Sequence, residues 1–343
     1  EDSLNRHKFF SLSAMPDYTL DHFLCRKPQI VAWPSTKYEW TKMRAIYGVD
    51  ATNFILTGFV FSDCENVVSE LFPIGKHAEA TKVASTVSEI LKNGIPYCFD
   101  FEDFNSQHSV SSMLAVLRAY YTVFHKCYSE EQQVAYNWVL ESLSDCIIKD
   151  PTGDYKTAGT LLSGWRLTTF MNTILNYVYI QLMTKDRPML ATHNGDDVLA
   201  AVDDIRQVQN LVYNANKHGV RFQMNKCFLG AISEFLRVDH NDVNGGQYLS
   251  RAIATLVHGP TEMAVPNSLL ALLRAQTTRL EEVKARGYNV VFLEKIRRVL
   301  DDYLMYKWNV TINDLCIIRQ THVSLGGLSL ELSEASLSHE VRQ

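Results

Sequence analysis

The stretch Thr192-His193-Asn194-Gly195-Asp196-Asp197-Val198 limits the fold more than any other part of the chain. Met189, Leu190 and Ala191 precede it and Val198 and Leu199 follow the acids, so both arms read as strands. Asn194-Gly195 is a favoured hairpin-turn pair. The two carboxylates are therefore expected at the exposed tip of a β-hairpin. Two like charges side by side repel, which costs energy unless a cation or water meets them. The tip is either a wet turn or a cation site. A Gly-Asp-Asp tripeptide occurs by chance in about one chain of this length in fifteen, so its setting matters more than its presence.

Three further segments carry chemistry. Tyr97-Cys98-Phe99-Asp100-Phe101 reads as a buried strand bounded by Gly94 and Pro96, and a buried Asp needs a partner. Glu102 and Asp103 follow, and a strand step of two puts Glu102, not Asp103, on the face of Asp100. Asp103 and Asn105 can equally cap the helix that comes next. In Ser163–Asn176, the Ser163-Gly164 pair ends a hairpin, and Thr168, Asn172 and Asn176 recur at helical spacing on one face. Leu167, Met171, Ile174, Leu175 and Val178 form the apolar face beside it. Such a polar stripe suits recognition of a sugar hydroxyl, and equally suits exposed helix residues with no role. In Ser35–Gly48, Lys37, Glu39, Lys42 and Arg44 alternate with apolar or aromatic residues, and strand periodicity sets Lys42 and Arg44 on one face. Two cations beside two carboxylate clusters point to a triphosphate bound through Mg²⁺, because phosphoryl transfer needs metals for the attacking oxygen and cations for the leaving pyrophosphate. A solvated basic loop over 26–44 is the plain alternative.

The remaining pattern is mixed. Residues 11–36 are loop-rich, with Pro16, Pro28 and Pro34. Helical spacing runs through Val110, Leu114, Leu117, Tyr121 and Phe124. Ser129 and Gln132 form a capping box for a helix expected to bury Val134, Trp138 and Leu143. A hairpin is expected over 147–162 around Asp150-Pro151-Thr152-Gly153, then a long helix from about Trp165 to Met183, and another from about Asp203 to Lys217. Strand-like pieces fill 220–238, and 268–306 is mostly helical. Strands and helices do not alternate strictly, so the class is α+β.

Bulk properties exclude little. The 343 residues carry a net charge of −5, against a general polyanion-binding surface. No apolar run is long enough to span a bilayer, which predicts no membrane partner, and no signal-peptide pattern opens the chain. Residue 1 is Glu, which predicts that the chain is a piece of a longer polypeptide. Its 7 cysteines, Cys25, Cys64, Cys98, Cys127, Cys146, Cys227 and Cys316, are scattered without a paired motif and read as reduced thiols in a cytosolic setting. His108 and His193 lack metal-ligand spacing and read as satisfied structural imidazoles.

Taken in order, these segments resemble the viral RNA-dependent RNA polymerases, above all those of double-stranded RNA viruses of the totivirus type. KYEWTKMRAIYG resembles their basic finger motif F, DFEDFNSQHS motif A and SGWRLTTFMNTILN motif B, SGxxxTxxxN. THNGDDV resembles motif C, HGVRFQMNKCF (218–228) motif D and EFLRV (234–238) motif E. The likeness spans about residues 35–260. It implies a right-handed polymerase fold with an antiparallel palm sheet: fingers over 1–96 and 110–162, palm over 97–109 and 163–250, and a partial thumb over 251–343. It further implies that Asp100 and Asp196, assisted by Asp197, bind two Mg²⁺ ions, with Mn²⁺ as a substitute. Lys42 and Arg44 would touch the triphosphate, with Lys37 and Arg237 as further triphosphate or RNA contacts. Ser163 and Gly164 would form a flexible loop sensing template and nucleotide, Thr168, Asn172 and Asn105 would read the ribose, and Lys226 would be a general acid. Many relatives have Asp where Asn105 stands, and an amide keeps a ribose role without metal binding. Asp103 is an outside candidate.

The implied activity is template-directed transfer of NMP from NTP to an RNA 3′ end, for transcription and replication of a viral RNA genome. The implied partners are template and nascent RNA, NTPs and viral capsid protein, and the implied location is the virion in the host cytoplasm. A reverse transcriptase shares the palm but lacks this motif B. A non-catalytic RNA-binding or assembly module derived from a polymerase is the alternative from another class, opposed by the intact acids.

Overall fold

The computed structural model describes residues 12–39, 42–157, 159–241, 246, 248–262, 267–286 and 289–341. The chain divides into two units, one running to Lys37 and from Met43 to Gly230, the other taking 38–42 and 231 onward. Numbering helices of nine residues or more, the order up to Gly230 is β1 (Ile30–Glu39), β2 (Lys42–Val49), α1 (Ala51–Val60), α2 (Ala80–Leu91), β3 (Ile95–Phe99), α3 (Val110–Phe124), α4 (Glu130–Ser142), β4 (Cys146–Ile148), β5 (Tyr155–Lys156), α5 (Thr168–Met183), β6 (Leu190–Asn194), β7 (Asp197–Val202), α6 (Ile205–His218) and β8 (Phe228–Leu229).

Two four-stranded sheets organise the first unit, β2-β1-β4-β5 and β6-β7-β3-β8. The second sheet is antiparallel throughout. Tyr97 and Phe99 alternate onto one face of β3 and stack at 4.9 Å, and Phe101, Phe104 and Phe222 continue that aromatic core. Val198, Ala200 and Val202 of β7 join it. Helix α5 belongs to two cores: Phe170, Met171 and Leu175 pack with α3 and α4, while Ile180 and Met183 pack under β3 and β7. The expected α+β class stands.

Several expected boundaries shift. Helix α5 begins at Thr168, not near Trp165. The Trp165 indole is buried and donates to Asn53 Oδ1 at 2.9 Å, which holds Leu162–Leu167 as a loop. In α4 the Ser129–Gln132 capping box forms and Trp138 and Leu143 are buried as expected, but Val134 is 54% exposed, and Ala135, Tyr136 and Val139 complete the buried face. That face meets α1, where Asn53 Nδ2 donates to Ser142 Oγ at 3.1 Å. In α3 the buried residues are Met113, Val116 and Leu117. The loop-rich reading of 11–36 gives way at Ile30, where β1 begins, and Pro34 falls inside β1 beyond Ile30–Ala32, the part paired with β4. Over 220–238 the strands are short and interrupted by a 3₁₀ turn at Met224–Lys226. The seven cysteines are free thiols.

The second unit contains a hairpin, β9 (Glu234–Phe235) with β10 (Val238–Asp239), and the helices α7 (Leu249–Glu262), α8 (Leu269–Ala285), α9 (Val290–Trp308) and α10 (Ile312–Gln320). Ala252, Leu280, Val283 and Leu293 form one small core, and Leu273, Leu304, Leu315 and Ile318 another. Asp301, 2% exposed, is held by Arg319 at 2.5 Å. No described helix is long and apolar enough to cross a membrane.

Asn53 joins α1, α4 and the loop before α5, accepting from Trp165 and donating to Ser142, all three buried. Asn53→Ala is expected to lose about 2–3 kcal/mol, because it strands two buried polar partners. Urea unfolding checks this, and a loss below about 1 kcal/mol would mean the loop is held by packing alone.

Candidate active site

The register of β3 on β7 brings the acids together. Ile95 pairs with Val202 and Phe99 with Val198, so the next step sets Asp100 opposite Asp197. On the other edge of β7, Asn194 pairs with Asp197. The turn is therefore Gly195-Asp196, one residue later than the expected Asn194-Gly195 pair. Gly195 has φ +60° and Asp196 has no positive φ, the form in which only the first central residue must be glycine. Asn194 is drawn into the strand, where its Nδ2 donates to Pro73 O at 2.5 Å.

Helix α5 grips this turn. Thr173 Oγ1 accepts from Gly195 N–H at 2.8 Å, and Asn176 Nδ2 donates to Gly195 O at 3.0 Å and to Asp197 O at 3.4 Å. Asn176 Oδ1 meets His193 Nδ1 at 2.9 Å, and desolvation pushes the buried His193 ring down to about 4. Neither Thr173 nor His193 was expected at the site. Asn176 lay in the polar stripe but had no assigned role.

Asp100 is met from the other side. Gln223 N–H donates to Asp100 O at 2.8 Å, and the 3₁₀ turn behind it carries Lys226 Nζ to 2.5 Å from Asp100 Oδ2. Asp196 and Asp197 are exposed at the tip. Protein nevertheless crowds the inner side of Asp196, and desolvation raises its carboxyl above the ordinary value. The Asp100 charge adds to that rise, whereas its own backbone N–H, Arg44 and Lys226 oppose it. Among the described residues no three His, Cys, Asp or Glu side chains are gathered tightly enough to hold a metal ion as they stand. The donor chemistry still fits one: hard carboxylate oxygens, with a desolvated Asp196 beside Asp100, suit Mg²⁺ once Lys226 yields its oxygen.

The remaining expected residues divide by neighbourhood. Arg44 lies on β2, exposed and within electrostatic reach of Asp196. Lys42 opens β2, but its side chain lies outside the described residues. Lys37 is exposed near the end of β1. The Ser163-Gly164 loop lies on β2: Ser163 Oγ accepts from Tyr47 N–H at 3.0 Å, and Gly164 bridges to Gly48. A Cβ on Gly164 would stand 2.1 Å from Tyr47 O, so this backbone approach requires glycine. Thr168 Oγ1 donates to Leu162 O and Trp165 O, each at 2.8 Å, and so ties the loop to α5. Asn172 is buried, and its Nδ2 donates to Asn105 Oδ1 at 2.9 Å. Asp103 has φ +43° and makes no side-chain cap. Glu102 faces Arg221 at 3.7 Å. In the second unit, Arg237 is exposed at the β9–β10 turn, where it and Leu236 have φ of +65° and +51°.

Residues 14–261 match the model of a family described as viral RNA-directed RNA-polymerase. The chain belongs to this family. It is 39% identical to a probable RNA-directed RNA polymerase of Saccharomyces cerevisiae virus L-A, over 95% of this chain and 22% of that protein. It is 38% identical to the corresponding protein of Saccharomyces cerevisiae virus L-BC, over 92% of this chain and 21% of that one. The chain thus spans about a fifth of the length of these curated relatives. The RNA-dependent RNA polymerase of a human picobirnavirus shares the fold, with a TM-score of 0.60 at 13% identity, covering 75% of this chain and 53% of that one. The expected right-handed viral polymerase fold and totivirus likeness therefore stand.

In this polymerase-family chain, Asn176→Leu removes both donors to the Gly-Asp-Asp turn and the His193 acceptor. The expected loss is about 2–4 kcal/mol, because buried partners are left unsatisfied. Hydrogen exchange at the Gly195 amide should also speed up as the turn loosens, and unchanged exchange there would show that Thr173 alone suffices to hold it.

Proposed function

We propose that this chain is the catalytic core of an RNA-directed RNA polymerase that extends an RNA 3′ end on an RNA template. The observation that supports it most is the strand register that sets Asp100 opposite Asp197 and beside Asp196, with Lys226 and Arg44 acting on the same carboxylates. In this reading Asp100 and Asp196, assisted by Asp197, hold two divalent ions, Mg²⁺ or Mn²⁺. When bound, such ions make the 3′-hydroxyl easier to deprotonate and offset the triphosphate charge. The 3′-oxygen forms a bond to the α-phosphorus, the bond to the β-phosphate oxygen breaks, and pyrophosphate leaves.

The chain's own residues then have separate duties. Lys226 exchanges its grip on Asp100 for the pyrophosphate and supplies a proton from Nζ. Arg44 and Lys42 hold the triphosphate, with Lys37 and Arg237 as further phosphate contacts. Ser163 and Gly164 bear on template and nucleotide from the loop that β2 and Thr168 hold. Asn105 reads the ribose with Asn172 bonded behind it, and Thr168, whose hydroxyl donates to Leu162 O and Trp165 O, serves the ribose site only by holding the loop. The reading keeps fingers over 1–96 and 110–162, palm over 97–109 and 163–250 and thumb from 251. It carries viral capsid protein as a partner and the virion in the host cytoplasm as the place of work.

The test is incorporation of labelled NTP on single-stranded RNA by the full-length parent protein and its Asp196→Asn, Asp197→Asn double variant, with Mg²⁺ and with chelator. Metal-dependent product from the unsubstituted protein alone is expected. A folded parent that binds RNA but makes no product would favour the non-catalytic module.

A second readout needs no turnover. The Asp196 carboxyl is raised in the fold, so stability is lost as pH rises from the ordinary Asp value to the raised one, and the loss is complete above it. Without divalent ions, Asp196→Asn is expected to raise the melting temperature at pH 7–8 by about 1–3 °C. The gain should vanish below the ordinary Asp value, where both forms are neutral. Mg²⁺ should stabilise the unsubstituted chain and leave the variant nearly unmoved. Equal stabilisation of both by Mg²⁺ would remove Asp196 from the metal site.

A further inference from the structure

Four side chains form one line of hydrogen bonds ending at Asn105. Tyr179 OH lies 3.1 Å from His108 Nδ1, His108 Nε2 lies 2.8 Å from Asn172 Oδ1, and Asn172 Nδ2 donates to Asn105 Oδ1 at 2.9 Å. His108 is 2% exposed, and Phe104 closes over it edge to face with ring centroids 4.4 Å apart. Desolvation holds its ring below the ordinary histidine value, against the pull of the Asn172 bond. The imidazole is therefore neutral, with one nitrogen that donates and one that accepts.

A neutral ring gives the line a direction. With the proton on Nε2, His108 donates to Asn172 Oδ1 and Tyr179 donates to Nδ1. Asn172 then has its amide nitrogen for Asn105 Oδ1, as the structure has it. The N–H groups of Asn105 are left for a ligand. With the proton on Nδ1 every bond reverses, and Asn105 is left with its carbonyl oxygen. The tautomer of His108 and the face that Asn105 offers are one variable.

We propose that His108, as the Nε2–H tautomer, is a positioning residue for sugar recognition: through Asn172 it holds Asn105 with its amide N–H groups toward the nucleotide. The 2′-hydroxyl is then read as a hydrogen-bond acceptor. A 2′-deoxy sugar has no oxygen there, so the Asn105 donors go unmet and the deoxynucleotide binds more weakly. His108 touches no substrate in this scheme. It acts by fixing the two amides, and Tyr179 acts by fixing His108. The inference rests on the polymerase reading of the site.

The test compares binding of ATP and 2′-deoxy-ATP, with Mn²⁺, to the full-length protein by calorimetry, alongside incorporation of each. The unsubstituted protein is expected to prefer ATP. In His108→Leu the preference should shrink by at least about tenfold, the equivalent of one lost hydrogen bond, with 2′-deoxy-ATP binding little changed. His108→Gln, which keeps an N–H on a flexible arm, should restore part of it. Tyr179→Phe should shrink it by a smaller factor, and it decides the matter if His108→Leu does not fold. A residue that merely supports the fold would weaken both nucleotides equally and leave their ratio unmoved, which would overturn the assignment. Binding of neither nucleotide by the folded parent would overturn it together with the polymerase reading. Normal binding and incorporation with an unmoved ratio in both variants would overturn the His108 assignment alone.

Discussion

The antiparallel pairing of β3 with β7 is the constraint on which the site depends. Strand side chains alternate, so a slip of one residue would carry Asp100 to the face of Tyr97 and Phe99. It would then enter an aromatic core rather than stand beside the turn acids. The core forbids the slip: Tyr97, Phe99 and Phe101 stack in series, and Val198, Ala200 and Val202 fill the facing positions. Burial of apolar side chains thus sets the position of a carboxylate that itself gains nothing from burial. The register is rigid because the aromatic residues are large and the facing β7 residues are small or branched.

Helix α5 transmits the same rigidity to two places. Near its middle, Thr173 and Asn176 hold the backbone of the Gly-Asp-Asp turn from beneath. One turn earlier, Asn172 reaches Asn105, and at its start Thr168 ties down the loop that rests on β2. A helix that presents this many buried polar groups must satisfy each of them, and here it does so by bonding the elements that carry the proposed chemistry. The Asp196 charge works the other way. Nothing in the fold relieves it completely, since desolvation and Asp100 raise its carboxyl while Arg44 and Lys226 only partly compensate. Strain of this kind at a tip held so firmly is what a cation-binding site is expected to store.

What was legible in the sequence was local. The hairpin about Asp196, the capping box at Ser129 and the turn at Asp150-Pro151-Thr152-Gly153 are decided by residues within a few positions of one another, and each forms. The order of the motifs likewise led to the family. The rest depends on partners far apart in the chain. Trp165 reads as the first residue of a helix until Asn53, 112 residues away, takes its indole N–H and keeps the segment a loop. Val134 fits a helical face as well as Ala135 does, and packing against α1 chooses between them. Thr173 carried no signal, because its partner Gly195 lies 22 residues on, in the β6–β7 turn. Helices α1, α2, α7 and α10 went unremarked; in α1 the apolar face is broken by Asn53, whose partners lie on other elements.

Adjacent turns of α5 also explain why the site mixes carboxylates with amides. At the turn, Asp196 and Asp197 stand beside Asp100, and in the proposed reading divalent cations offset their repulsion. At position 105 the partner is the Asn172 amide, which donates to a carbonyl oxygen and so needs no charge there. An amide carries no charge, so it can sit near the acids without disturbing them. It also has a donor and an acceptor end, and which end faces outward is then set by its neighbours. In this chain those neighbours are a second amide and a buried, neutral imidazole. In the proposed reading, charge recognition and sugar recognition are thereby kept apart electrically, while the same helix holds the residues of both.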